Sequence, residues 1–376
     1  MQQLVSAEGI DSLAETLLNR LYFILLFDFA HKKDIAMPDS MLPAKPHTPI
    51  ADTLRKQVRS IYHTVIPLNI RLDIWYRRHT GQSYKDSLPP KITLPETAIP
   101  AAQVHAAQIQ ESAAPQYGKT AIIIVSYNNA AVTSFTLQSV LEKTTGPNYE
   151  IIIVDNGSQS ETIAMLEEYT RTFANVRLIK NGENKGFAAA NNIGVGAAEG
   201  CEYFVLLNND VIVTPNWLFQ LLKYASQAEI GMVGPVTSHA SNEARIPIPY
   251  TSAAEIDAFA EAFTTAHAGS FFDIRTPNMF CVALRADTVQ KIGLLDERFG
   301  LGNFEDDDYA LRIRNAGLRT ICAEDVFVHH IGGSTFSKLA AENYQKLLEK
   351  NRQLFETKWN VLWQPPRARK KSASRG

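Results

Sequence analysis

The sequence predicts an α/β protein: a mostly parallel sheet with helices on both faces, preceded by a small helical N-terminal region. Three observations carry this reading. Ala121–Val125, Glu150–Val154 and Phe204–Leu207 are short, nearly unbroken apolar runs, the pattern of strands buried on both faces. Stretches of helical length separate them, and strict alternation of strand and helix implies right-handed crossovers and parallel neighbours. Each run then stops on polar residues, and in open parallel sheets ligands lie beyond the carboxyl ends of strands.

The elements follow in order. Residues 1–80 read as helical, with Leu13, Leu17, Leu18, Leu21 and Leu25 at helical spacing and a second, basic segment from Leu54 to Arg78 interrupted by Pro67. Such a segment can lie on an anionic membrane surface, but packing on the main domain or on a partner is the preferred reading. Residues 81–118 carry Pro89, Pro90, Pro95, Pro100 and Pro115 among Ala, Gln, Ser and Thr, and read as a linker. The main domain occupies 119–345: strands near 121–125, 150–154, 176–180 and 204–207, helices near 130–143, 160–172, 188–198 and 217–226, and a further strand opening at Gly231. A helix and a basic tail occupy 346–376.

Bulk properties exclude several classes. The chain has 376 residues, 45% hydrophobic and 20% charged, as in ordinary globular domains. A net charge of -2 argues against nucleic acid as the main partner. Cys201, Cys281 and Cys322 are scattered without a CxxC, which fits a reducing compartment and no structural zinc. No apolar run reaches the roughly 18 residues of a spanning helix, so an integral membrane protein is not expected. The expected location is cytoplasmic; the basic residues from Arg367 to Arg375 allow a peripheral contact at the inner membrane face, although most such tails are only solvated charge.

The strand ends hold the candidate chemistry. They read Ser126-Tyr127-Asn128, Asp155-Asn156-Gly157-Ser158, Asn181-Gly182-Glu183-Asn184-Lys185-Gly186 and Asn208-Asn209-Asp210, all on one sheet edge. Asp210, after four apolar residues, can hold a hard divalent cation against phosphate oxygens. It can equally cap the helix that begins near Pro215, and this stretch alone leaves both readings open. Asp155 can accept bonds from a base or ribose, and Asn184 and Lys185 can approach ribose or phosphate. There is no GxxxxGK[ST] motif. Gly194-Val195-Gly196 falls inside a helix and lacks the dinucleotide spacing, so those glycines are read as packing positions. Further on, Glu305-Asp306-Asp307-Asp308 opens a helix. Acids in a first turn suit the helix dipole, and Asp308 can pair with Arg312, but four in succession repel one another unless a cation or a reacting group is near.

The series IIIVSYNN, IIIVDNGS, NKGFAAANN, FVLLNND, NMFCVALRADTVQKIGLLDERFGLGNFEDDDYALRIRNAG and VHHIGGST resembles family 2 glycosyltransferases of the GT-A fold, bacterial polysaccharide or rhamnosyl-type enzymes in particular, over roughly residues 120–335. The resemblance implies an inverting, metal-dependent transfer of a sugar from a nucleoside-diphosphate donor, of UDP or dTDP type, to a glycan or lipid-linked glycan acceptor in cell-surface polysaccharide synthesis. It assigns the donor base to Asp155 and Mg²⁺ or Mn²⁺ to Asp210 and His330, since His330, not His329, lies two residues before the glycine. Ser126, Asn128, Asn184, Lys185, Gly186, Asn208 and Asn209 complete the expected donor-binding set. Asp306 becomes the catalytic base, Glu305 its support or competitor, and Asp308 a structural residue. Gly332–Thr335 would form a loop over the donor phosphates. Asn208 stands where the simplest DxD pattern has its first Asp, which keeps a degenerate sugar-nucleotide-binding or scaffolding module as the alternative. A nucleotidyltransferase would need a Gly-rich, Arg-bearing loop after the first strand, and a glycoside hydrolase would not need the nucleotide-side strand ends.

Overall fold

The apolar runs form the inner strands: β1 (Thr120–Ser126), β2 (Tyr149–Asp155), β3 (Val176–Lys180) and β4 (Tyr203–Asn208). The computed structural model describes residue 92 and residues 96–106, 117–145, 148–332, 341–366 and 369. The helical expectation for residues 1–80 and the tail beyond 369 lie outside the described residues, which all belong to the compact unit Leu68–Gly376. Helices α1 (Ala130–Lys143), α2 (Ser160–Thr172) and α3 (Phe187–Gly196) join these four strands, and β1 pairs in parallel with both β2 and β4 while β2 pairs with β3.

Continuous burial explains the unbroken apolar runs. Ile122, Ile124, Ile151, Ile153, Val205 and Leu207 face one layer, with Leu137 and Leu141 of α1 and Leu166 and Tyr169 of α2. Their neighbours Ile123, Ile152, Val154 and Leu206 face the other, against Ala188 and Ala190 of α3. Gly194 in α3 has the packing role expected of it, because a Cβ there would stand 2.4 Å from the Ile123 side chain.

The second half corrects the expectation of simple alternation. After β5 (Val211–Ile212), α4 (Trp217–Ala225) and β6 (Ile230–Thr237) come α5 (Ile256–Ala266), β7 (Phe271–Asp273), β8 (Cys281–Arg285), α6 (Ala286–Ile292), α7 (Glu305–Asn315), β9 (Arg319–His330) and α8 (Ala341–Trp359). The strand order is β3-β2-β1-β4-β8-β6-β9-β5, with β7 beside β9. Strand β8 runs antiparallel between β4 and β6, and β5 and β7 run antiparallel to β9. The sheet is therefore mixed, because β8 returns along β4 and a two-residue strand leaves too little apolar pattern to announce itself.

The linker reading fails for part of its span. Ala101 and Val104 are buried in the core, the Ile99 N–H donates to Ser134 Oγ at 2.8 Å, the Ala101 N–H donates to Glu168, and Tyr169 Oη donates to the Ile99 carbonyl. Residues 98–104 are a docked strap across α1 and α2; two apolar anchors among prolines were too few to register as a period.

Candidate active site

Parallel pairing sets the ends of β1, β2, β3 and β4 side by side, with Ser126 opposite Asp155. Ser126 is buried and its Oγ has no hydrogen-bond partner among the described residues. The buried Asp155 carboxylate accepts from the Ser158 N–H at 3.2 Å. Asn128, expected to meet the donor, braces the edge. Its backbone is left-handed, its N–H donates to Ser158 Oγ, and its Oδ1 accepts from the Gln159 N–H.

Asn156 was not singled out from the sequence, yet it organises the adjoining loop. Its Oδ1 accepts from Asn181 Nδ2 and from the Lys185 N–H, and its Nδ2 donates to Asn184 Oδ1. Asn184 Oδ1 in turn accepts from the Gly186 N–H, so the Asn184 amide is engaged within its own loop. Lys185 Nζ pairs with Glu183 at the exposed surface, where such a pair adds little stability and the ammonium is free to exchange partners. Gly186 has φ +88° and ψ 171°, and a Cβ there would lie 2.1 Å from the Gly300 carbonyl oxygen. Gly186→Ala is expected to cost about 1–3 kcal/mol from the backbone alone, with the clash added to it. A urea midpoint unchanged from wild type would refute this.

Asp210 follows β4 and precedes β5. The pairing Val211↔His330 brings it against the end of β9, and the Ile331 N–H donates to its carbonyl. The buried Asp210 carboxylate lies 3.3 Å from His330 Nε2, while His330 Nδ1 contacts the His239 carbonyl at 2.9 Å. Burial works against charge on His330, but the Asp210 carboxylate outweighs it and raises the imidazole pKa. His329 points elsewhere: it is buried against Tyr250 Oη at 2.7 Å, and burial, then the neighbouring His330, lowers its pKa to about 4. Asn209 also differs from expectation. It is buried, and its Nδ2 donates to Thr133 Oγ1 in α1, so it ties the strand end to a helix. Asn208 is part-buried at the end of β4, its N–H donating to the Phe280 carbonyl. The segment Gly333–Thr335 lies outside the described residues.

The acidic turn opens α7. Glu305 is buried and its Oε2 has no hydrogen-bond partner among the described residues; burial, then the charge of Asp306, raises its pKa well above the usual range. Asp306 Oδ2 accepts from Asn278 Nδ2 at 3.2 Å, and burial together with the Asp307 charge raises its pKa to about 7. Asp307 accepts from Thr276 Oγ1 and Trp363 Nε1. Asp308 is fully buried and held by Arg312, Lys358 and Trp359, a structural role including the expected i, i+4 pair.

One short segment links these two groups. Asn278 touches Asp306, and Phe280, two residues on, stacks on His330 at 4.9 Å between ring centroids. Two residues span at most roughly 7 Å, so the Asp210–His330 pair and the acidic turn flank one short piece of backbone. Nothing local marked Thr276, Asn278, Trp359 or Trp363 in the sequence; only folding brings them to the acids.

A buried carboxylate and an imidazole with a raised pKa, 3.3 Å apart at a sheet's carboxyl edge, suit a hard or borderline divalent cation. No group of three or more His, Cys, Asp or Glu side chains that could hold an ion occurs among the described residues. The pair therefore fits an ion completed by water and phosphate oxygens, not a closed protein cage.

The mixed sheet, with its site at the carboxyl ends of β1–β4, defines a GT-A type domain, and a solved structure agrees. The mannosyltransferase PcManGT from Pyrobaculum calidifontis, in complex with GDP-Man and Mn²⁺, superposes with a TM-score of 0.50 at 16% identity, covering 71% of this chain and 70% of that one. Residues 121–282 match the family described as Glycosyl transferase family 2. Among its relatives are the O-antigen biosynthesis protein RfbC of Myxococcus xanthus, 28% identical over 57% of this chain and 18% of that protein, and glycosyltransferase AglE of Haloferax volcanii, 26% identical over 56% and 66%. The chain thus spans less than two thirds of the length of either relative.

Proposed function

We propose that the protein is an inverting, metal-dependent glycosyltransferase that moves a sugar from a nucleoside-diphosphate donor to a hydroxyl of a glycan or lipid-linked glycan. The observation that carries this reading is the Asn278–Phe280 segment, which sets a base with a pKa near neutrality beside a pair suited to a cation.

In this reading the edge formed by Ser126, Asp155 and the Asn184–Gly186 loop takes the nucleoside. Asp210 and His330 would hold Mg²⁺ or Mn²⁺, whose chemistry is to neutralise charge on a leaving diphosphate. The protein's own residues do the rest. Asn278 orients the Asp306 carboxylate, and Asp306 accepts the proton of the attacking hydroxyl. Glu305, whose pKa is raised by burial and by the Asp306 charge, supports the acceptor or orients the base. Attack on the face opposite the leaving group inverts the anomeric carbon. Relatives named for O-antigen synthesis and as glycosyltransferases support polysaccharide assembly as the setting. Three free, buried thiols suit a reducing, cytoplasmic location. No helix among the described residues is long and apolar enough to cross a membrane; contact with the membrane face rests on the basic stretches Leu54–Arg78 and Arg367–Arg375 of the sequence.

The test is calorimetric titration with UDP, dTDP and GDP, each with and without Mn²⁺, followed by sugar-nucleotide hydrolysis with the base that binds. Metal-dependent binding of one nucleotide is expected. A folded protein that binds none would overturn the proposal and favour a degenerate scaffold.

A further inference from the structure

The acidic turn is held in place from the far end of the chain, beyond the residues that match the family. Helix α8 lies along the loop between Phe299 and Glu305. Asn351 of α8 is fully buried, and its Nδ2 donates to the carbonyls of Phe299 at 2.7 Å, Gly302 at 2.9 Å and Asn303 at 3.1 Å. Four residues of that loop, Gly300, Gly302, Asn303 and Phe304, have φ between +63° and +134°. Two of these are not glycine, and such backbone persists only where its surroundings over-determine it. The same loop touches the donor side, because the Gly300 carbonyl sits where a Cβ on Gly186 would be. The loop therefore joins the Asn184–Gly186 segment to Glu305 and Asp306, and one amide gathers its carbonyls.

We infer that Asn351 is a positioning residue: by clamping residues 299–303 it fixes the acidic turn against the donor loop, so that α8 is needed for turnover but not for nucleotide binding. Trp363, which follows α8, supports the same turn through Asp307 and through its ring, 5.2 Å from that of Phe304. A purely structural residue would lower stability and leave the reaction of the folded fraction unchanged. A positioning residue lowers kcat while nucleotide affinity stays constant, because a displacement of about 1 Å at the base can cost on the order of 100-fold in rate.

The inference rests on the proposed transferase reading for its kinetic part only. The test uses the full chain and Asn351→Leu, which keeps the side-chain size and removes both donors. Trp363→Phe serves as a second variant that keeps the ring packing if the first does not fold. Three readouts are taken: amide exchange over residues 299–308, Mn²⁺-dependent hydrolysis of the sugar nucleotide with water as the acceptor, and calorimetric affinity for the matching nucleoside diphosphate. Expected for Asn351→Leu are faster exchange confined to 299–308, kcat lower by roughly 10- to 100-fold, and nucleotide affinity within twofold of wild type. For Trp363→Phe a smaller fall in kcat, also without loss of affinity, is expected. Unchanged exchange in 299–308 would overturn the clamp whether or not the wild type is an enzyme. Faster exchange with unchanged kcat, or equal loss of affinity and kcat, would overturn the positioning role. A wild type that neither binds nor hydrolyses any sugar nucleotide would overturn the transferase reading and with it this role for Asn351, while the exchange data would still decide whether the clamp exists.

Discussion

Asp306→Asn is expected to abolish transfer while leaving nucleotide binding intact. The amide keeps the shape and can still meet Asn278, but it cannot take a proton, and loss of a general base typically costs about 10²–10⁴ in rate. The pH dependence of the wild type makes the same point. With burial and the Asp307 charge raising the Asp306 pKa to about 7, the base form dominates only above neutrality, so activity should fall as pH drops below 7. Stability should move the other way. A carboxyl whose folded pKa is raised favours folding fully below its unfolded pKa, and that contribution is lost as pH rises through the folded value. The Asp306 contribution to wild-type stability should therefore decline from about pH 4 to about pH 7, and Asp306→Asn should be the more stable protein at pH 8. Thermal unfolding at pH 5 and pH 8, with kcat at both, measures each arm. A variant that retains more than about a tenth of wild-type kcat would remove Asp306 as the base.

How much of this was legible in the sequence follows from the range of the interactions. The inner strands and their helices are local: an apolar run between helical segments carries its own signature, and α2 begins and ends where its residues predict. The polar strand ends are local too, so Asp155, Asp210 and the acidic turn stand out from the chain itself. What the side chains do there is not local. Asn128 and Asn209 have the right residue type at the right edge, but one braces its neighbouring loop and the other is drawn inward by Thr133. The antiparallel return of β8 places Asn278 and Phe280, and no spacing rule announces it. The spacing to Gly332 singles out His330 over His329, but its meeting with Asp210 depends on the pairing with Val211, a register set by a two-residue strand about 120 positions away. The clamp from α8 comes from a segment that the sequence marks only as a helix.

The second large effect is expected at Asp210. The Asp210→Asn variant should lose most of the Mn²⁺-dependent increment in nucleotide affinity, while the metal-independent part, carried by the Asp155 edge, remains. In the wild type, nucleotide with Mn²⁺ at 100 times its dissociation constant should stabilise the fold by about 2.7 kcal/mol. In the variant, adding Mn²⁺ to the same nucleotide should add little to the unfolding temperature. The change also acts on His330: without the neighbouring carboxylate, burial is opposed only by the contact with the His239 carbonyl, and the imidazole pKa falls. This gives a second signature. If the wild type binds the cation at this pair, the cation would displace a proton that Asp210 helps to hold, so Mn²⁺-dependent affinity should weaken as pH falls through the raised His330 pKa. In Asp210→Asn the residual metal effect should be small and less dependent on pH over that range. Thermal shift with nucleotide alone and with nucleotide plus Mn²⁺, from pH 5.5 to 8, separates the cases. An equal Mn²⁺ increment in wild type and variant would place the cation elsewhere, and Asp210 would then be no more than the residue that joins β4 to the end of β9.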